Sequence, residues 1–169
     1  MADIPGLDVQ TTTIRSYPYS SITAHVLGYV GPVTETDLEK EPWLGVPGLH
    51  IGKSGLEVQL EKSLRGEAGT EQQEVNARHM VIRTLAQEKS TTGTTVQLTL
   101  DIGLQQAVMA RLAKESSAAA VVLDVHDGQV YALASHPGFD PNLFASGISQ
   151  SDWDALMGDE RAPLTKKLS

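Results

Sequence analysis

The 169-residue chain has no cysteine. A disulfide framework and a thiolate metal site are therefore both excluded. Basic residues are the minority, 13 against 21 acidic, for a formal net charge of −8, and Lys and Arg are scattered without a run. Binding phosphates needs a positive patch, so nucleic acid is not an expected partner. No apolar run approaches the about 20 residues of a membrane-spanning helix. Met1-Ala2-Asp3-Ile4-Pro5 lacks both the charged start and the apolar stretch of a signal peptide, so the chain as given reads as soluble. With 40% hydrophobic and 20% charged residues, its composition is that of a globular protein, long enough for one domain or for one domain and part of a second.

What is present can be read in order. Residues 7–17 (LDVQTTTIRSY) are rich in Thr, Val and Ile and predict a strand ended by Pro18. SSITAHVLGYVG (20–31) predicts a short helix, with Ser20 or Ser21 as N-cap and Gly28 or Gly31 as its stop. Thr34-Glu35-Thr36-Asp37 begins another polar turn or helix, which the prolines and glycines of EPWLGVPGLHIG (41–52) interrupt. KSGLEVQLEKSLRG (53–66) predicts a helix with a Ser54/Glu57 capping box, Leu56, Leu60 and Leu64 along one face, and Gly66 as terminator. Residues 71–75 and 79–85 flank a turn-prone Asn76-Ala77-Arg78 and predict paired strands.

The polar stretch 86–95 suggests a domain boundary near Thr94, dividing the chain into 1–94 and 95–169. After it come VQLTL, a helix capped by Asp101 with Leu104, Val108 and Leu112 at four-residue spacing, and a hairpin. In that hairpin Val121-Val122-Leu123 and Val130-Tyr131-Ala132-Leu133 flank the turn His126-Asp127-Gly128. The nearly continuous apolar runs imply burial on both faces. Ser149 with Asp152 predicts a last helix start, with Trp153, Leu156 and Met157 as its packing face.

Candidate chemistry is sparse. Gly52-Lys53-Ser54 resembles the end of a phosphate loop, but the first required glycine falls on Pro47 and Gly48 misses the spacing by one. Lys53-Ser54-Gly55 matches K-[ST]-G, yet it opens a helix, where the Ser54 hydroxyl is better used as a cap. No serine begins S-x-x-K or S-x-N, and there is no G-x-S-x-G. His25, His50, His79, His126 and His136 show no ligand spacing, and Asp124 and Asp127 read as turn formers. Burial is expected for Trp43 and Trp153, with a partner-binding anchor as the sharper reading. No catalytic, cofactor-binding or metal-ligating residue is therefore assigned, and no cofactor.

Together these stretches resemble one family, the class B penicillin-binding proteins, and within it the elongation type, penicillin-binding protein 2. RSYPYSSITAHVLGYVG (15–31), IGKSGLEVQLEKSLRGEAGTEQQEVNARHMVIR (51–83) and GTTVQLTLDIGLQQAV (93–108) look like the pedestal, or dimerisation, domain and its junction with the transpeptidase domain. AAAVVLDVHDGQVYALASHPGFDPNLFASGIS (118–149) is similar to the first hairpin of that second domain, and PLTKKLS, ending at Ser169, to the lead-in to its nucleophile motif. DPNLFASGIS with DWDALMGDERAPL favours the elongation type over the division type.

The resemblance implies an α+β fold: a mixed pedestal of short helices and a β-hairpin, then an incomplete α/β transpeptidase segment of helix plus antiparallel hairpin. It implies a parent that cross-links peptidoglycan through an acyl-serine, binds penicillin, and is anchored at the periplasmic face of the bacterial inner membrane. The three catalytic motifs and the anchor helix are not among these residues, so a non-catalytic scaffold is expected. Its implied partners are the rest of the transpeptidase domain and elongation proteins of the MreC and RodA types. The alternative is a self-standing periplasmic binding or assembly module that self-associates through its exposed hairpin.

Overall fold

The computed structural model describes residues 13–46, 48–77 and 81–159. The predicted strand at 7–17 falls largely outside them, and 13–17 join no ladder. A 3-10 turn, Ser20–Ile22, leads into α1 (Ala24–Leu27), then β1 (Val30–Pro32), α2 (Glu35–Lys40), a second 3-10 turn Pro42–Leu44, and β2 (His50–Gly52). Next come α3 (Gly55–Gln59), α4 (Glu61–Arg65), β3 (Thr70–Val75) and β4 (Val81–Glu88). The chain continues with α5 (Ile102–Leu112), β5 (Ala118–Leu123), β6 (Val130–His136), α6 (Asn142–Ala145) and α7 (Gln150–Gly158). The strands pair antiparallel as β1–β2, β3–β4 and β5–β6, so the fold is the expected α+β mixture of short helices and open hairpins. Among the described residues, no helix is long and apolar enough to cross a membrane.

Local chemistry sets several boundaries as expected. Asp101 accepts from the Leu104 N–H at the start of α5, and Ser149 from the Asp152 N–H at the start of α7. Such caps contribute ~1 kcal/mol each. Thr34 and Asp37 form a capping box on α2. Asp124 and Asp127 accept from the N–H groups of His126 and Gln129, tying the β5–β6 turn in which Gly128 adopts φ +76°. Arg78 and His79 lie outside the described residues.

Other expectations are corrected. Neither Ser20 nor Ser21 caps α1, whose N-cap is Thr23; Ser20 instead takes φ +43°, a left-handed conformation rare for a side-chain-bearing residue. The Ser54/Glu57 capping box does not form: Ser54 occupies the N-cap without a side-chain bond, and the Glu57 carboxylate is committed to Arg15. The expected single helix over 53–66 breaks at Leu60 into α3 and α4. On α5 the fully buried residue is Gln105, whereas Leu104 is exposed. Among the described residues the β5–β6 hairpin is covered on one face only, and Val121 and Leu123 stay more than half exposed on the other. Trp43 and Trp153 are both exposed rather than buried, and Leu156 alone of the predicted α7 face packs on the core while Met157 is exposed.

The β3–β4 hairpin stands away from the body as an arm, its described residues exposed except the half-buried Glu74 and Asn76. Two register shifts leave Ile82 and Leu85 of β4 without partners across the ladder. Bulges of this kind bend and twist a ribbon, which discourages pairing with other strands.

Candidate functional site

The core is shared between sequence-distant segments. Ala24 is buried against Phe139 and Phe144, with Tyr29, Leu143, Ile148 and Leu156 around them. Tyr29 stacks on Phe144 with ring centroids 4.0 Å apart, and Phe139 meets Phe144 edge-on at 5.9 Å. A second cluster joins Tyr17 and Val30 to Ala145. Burying these aromatic groups supplies the main attraction between the segment 17–30 and the segment 139–145, at about 25 cal/mol per Å² of apolar surface.

Two side-chain amides then fix the register. Asn142, at the start of α6, accepts from the Tyr17 N–H at 2.9 Å and donates to the Tyr17 carbonyl at 3.1 Å. Gln105 does the same to Leu133: its Oε1 accepts from the Leu133 N–H at 2.9 Å, and its Nε2 donates to the Leu133 carbonyl at 2.8 Å. Gln105 Nε2 also donates to the Ile22 carbonyl at 2.9 Å. Leu133 pairs with Val121 in the ladder, and its own N–H and C=O point to the open side of β6. Gln105 thus closes a strand edge and bolts the turn 20–22 to it. His25 Nε2 lies 3.0 Å from the Pro137 carbonyl and adds a third polar tie.

Charge enters at one side of this junction. Arg15 pairs with Glu57 at 2.6 Å, and Glu57 is only 5% exposed. Burial works to lower the Arg15 pKa, but the hydrogen bond and charge of Glu57 outweigh it and hold the guanidinium above its ordinary value. The Tyr17 phenol is pushed well above the usual tyrosine range, first by burial and then by the Glu57 carboxylate. It stays protonated, and its oxygen accepts from the Val30 N–H at 3.1 Å. Tyr17 is thus held at both ends, its phenol beside Glu57 and Val30 and its backbone by Asn142.

Among the described residues, the side chains of the candidate motifs are engaged in local contacts. Lys53 extends its ammonium to Asp37 at 2.5 Å, which, with the Thr34 bonds, holds that carboxyl well below the usual range. His50 bonds the Gly48 carbonyl beside it, and His25 serves the junction. Pro47 and Ser169 lie outside the described residues. The residues that matter most, Gln105, Asn142 and the Arg15–Glu57 pair, carried no local signal. Their partners are 28 to 125 positions away.

An interlocked α+β domain, made of short helices and hairpins around a shared aromatic core, is thus the class of protein defined here. The chain belongs to the penicillin-binding protein dimerisation domain family, whose model matches residues 1–98. Its relatives narrow the class. It is 42% identical over 168 residues to the peptidoglycan D,D-transpeptidase MrdA of Escherichia coli K12, covering 96% of this chain and 26% of that protein. Helicobacter pylori PBP2, solved in a complex with MreC, superposes with a TM-score of 0.78 at 32% identity over 89% of this chain and 28% of that one. Pseudomonas aeruginosa PBP2, solved with WCK 5153, gives 0.73 at 33% identity over 89% of this chain and 30% of its own. The chain spans about a quarter of the length of the curated relatives it matches.

Proposed function

We propose that this chain is the supporting part of an elongation-type peptidoglycan D,D-transpeptidase, holding the first hairpin of the catalytic domain on its pedestal. The observation that carries this reading is the amide-fastened junction, in which Asn142 and Gln105 lock 17–22 to β6 and α6. On this reading 1–94 are pedestal and 95–169 the start of the transpeptidase domain. The side-chain amide bonds across the seam support a fastened junction between them. On this reading the described residues stay clear of the reacting peptide, which is supported by the commitment of Lys53 to Asp37 and the place of Ser54 at a helix start. The parent would form the acyl-serine elsewhere, bind penicillin, and sit at the periplasmic face of the inner membrane. Its partners would be proteins of the MreC and RodA types, the former supported by the complex solved for the Helicobacter relative.

Incubation with a fluorescent penicillin tests the non-catalytic role: no covalent adduct is expected, and a stoichiometric one would overturn it. Saturable binding to a purified periplasmic MreC is expected in surface plasmon resonance, and its absence removes that partner. The exposed Val121, Leu123 and Val125 favour a second reading, self-association through the open hairpin face. A concentration-independent monomer in light scattering removes it.

A further inference from the structure

Between the foot of the β3–β4 arm and the turn Pro42–Leu44 lies an open groove of about 870 Å³. Its walls are Trp43, Val46, Lys40, Lys62 and Arg65, and its floor is the chain from Gly66 to Thr70. Trp43 is 47% exposed, although one ring face is covered by the Arg65 guanidinium, 4.3 Å from the ring centroid. Arg65 is itself held by Glu61 at 3.2 Å and Glu41 at 3.4 Å. The indole is therefore fixed in orientation before any ligand arrives, and its exposure falls on the remaining face and edge. Pre-set groups of this kind lose little entropy on binding.

The groove is also less acidic than the molecule as a whole, because Glu61, behind Arg65, brings the local charges only to balance. Three cations, Lys40, Lys62 and Arg65, face two carboxylates, Glu41 and Glu67, on a chain whose net charge is −8. Glu41 is shared by Arg65 and Lys62, the latter at 3.8 Å with its side chain 85% exposed. Both lysine ammonium groups stay available to an anion. The apolar surface is the Trp43 ring with Pro42, Val46 and Ala68 beside it, in an open groove rather than an enclosed hole. A pyranose fits such a surface, because its C–H face carries the partial positive charge that the negative face of an indole attracts.

We propose that this groove binds an acidic glycan, with one sugar ring stacked on Trp43 and its carboxylate beside Lys40 and Lys62. Given the peptidoglycan reading above, on which the choice of glycan rests, the ligand is a peptidoglycan strand freed of its stem peptides, whose lactyl groups then carry free carboxylates, held on the support rather than at the reacting centre. The test is an NMR titration of the ¹⁵N-labelled chain with soluble peptidoglycan strands stripped of their peptides, following the Trp43 indole N–H and the amides of 66–70. Saturable shifts at these positions are expected. Trp43→Ala should weaken binding at least about tenfold, with the far-UV spectrum unchanged because the ring is half exposed. Lys40→Glu with Lys62→Glu should weaken the strands but not neutral chitotetraose. No saturation at millimolar strands, or binding unchanged in Trp43→Ala, overturns the proposal, as does equal binding of free stem peptides, which would make this a peptide groove. Measured cross-linking by the longer protein alongside absent strand binding would remove the groove and leave the proposed function standing.

Discussion

Replacing Gln105 by leucine removes an amide that is 0% exposed and serves three backbone groups, the N–H and C=O of Leu133 and the C=O of Ile22. Leucine keeps the helix and most of the volume, so the loss isolates the polar work. Each buried group left without a partner costs about 1–3 kcal/mol. Ile22 and Leu133 are both only partly buried, and water can serve their backbone groups in part. The expected loss is therefore ~2–4 kcal/mol, still a large share of the roughly 5–15 kcal/mol by which domains are stable. Urea unfolding should show a lower midpoint at unchanged slope, and hydrogen exchange at the Leu133 amide should accelerate. Gln105→Glu should be worse at neutral pH, because a carboxylate would face two carbonyls that it cannot satisfy. It should recover partly in acid, where the protonated group can donate once. A loss below about 1 kcal/mol for Gln105→Leu, with Leu133 exchange unaltered, would refute the argument that this side chain fastens the junction.

Two glycines with the same dihedral offer a paired test. Gly28 and Gly128 both adopt φ +76°, but a Cβ at Gly28 would come 2.0 Å from the Ser54 carbonyl oxygen, while one at Gly128 would meet nothing within 4 Å. Gly128→Ala should cost about 1–2 kcal/mol by its backbone alone, and Gly28→Ala should unfold the chain or lower its melting temperature far more. Asp37 tests the electrostatics. Its folded pKa is depressed by Lys53, so its contribution is complete above the unfolded value of about 3.9 and is lost as pH falls through the folded one. The carboxyl carbon should titrate well below that value by NMR, and Lys53→Ala should raise the midpoint; an unchanged midpoint refutes the pairing.

Features set by neighbours in sequence were legible: the caps at Asp101 and Ser149, the Asp124–Gly128 turn, the stop at Gly66 and the antiparallel hairpins. The β1–β2 pair was not, because three-residue strands ending in Pro32 and Gly52 have no periodicity to read. Gln105 reads as a solvent residue on a helix, since nothing local announces that β6 will present an unpaired edge to it. Ser54 and Glu57 match a capping box at the right spacing. The cap lost because Arg15, 42 positions earlier, holds the carboxylate in the interior. Burial on both hairpin faces was inferred from apolar runs whose outer half, Val121 and Leu123, has no cover among the described residues. Alanine at 132 and 134 marks the packed face instead, where α5 comes too close for larger groups.

The aromatic core shared by Ala24, Tyr29, Phe139 and Phe144 has a consequence for anyone exchanging parts between relatives. A chimera joined in the polar stretch near Thr94 would pair one parent's Tyr17 and Tyr29 with the other parent's Asn142 and Phe144, so its seam would pass through the interior. Swaps that carry residues 17–30 together with 101–156 keep the aromatic contacts of that interior native, while Ser54 beneath Gly28 and Glu57 beside Tyr17 remain the other parent's. The portable unit is discontinuous in the chain, and the helices α2 to α4 and the arm are an insertion within it.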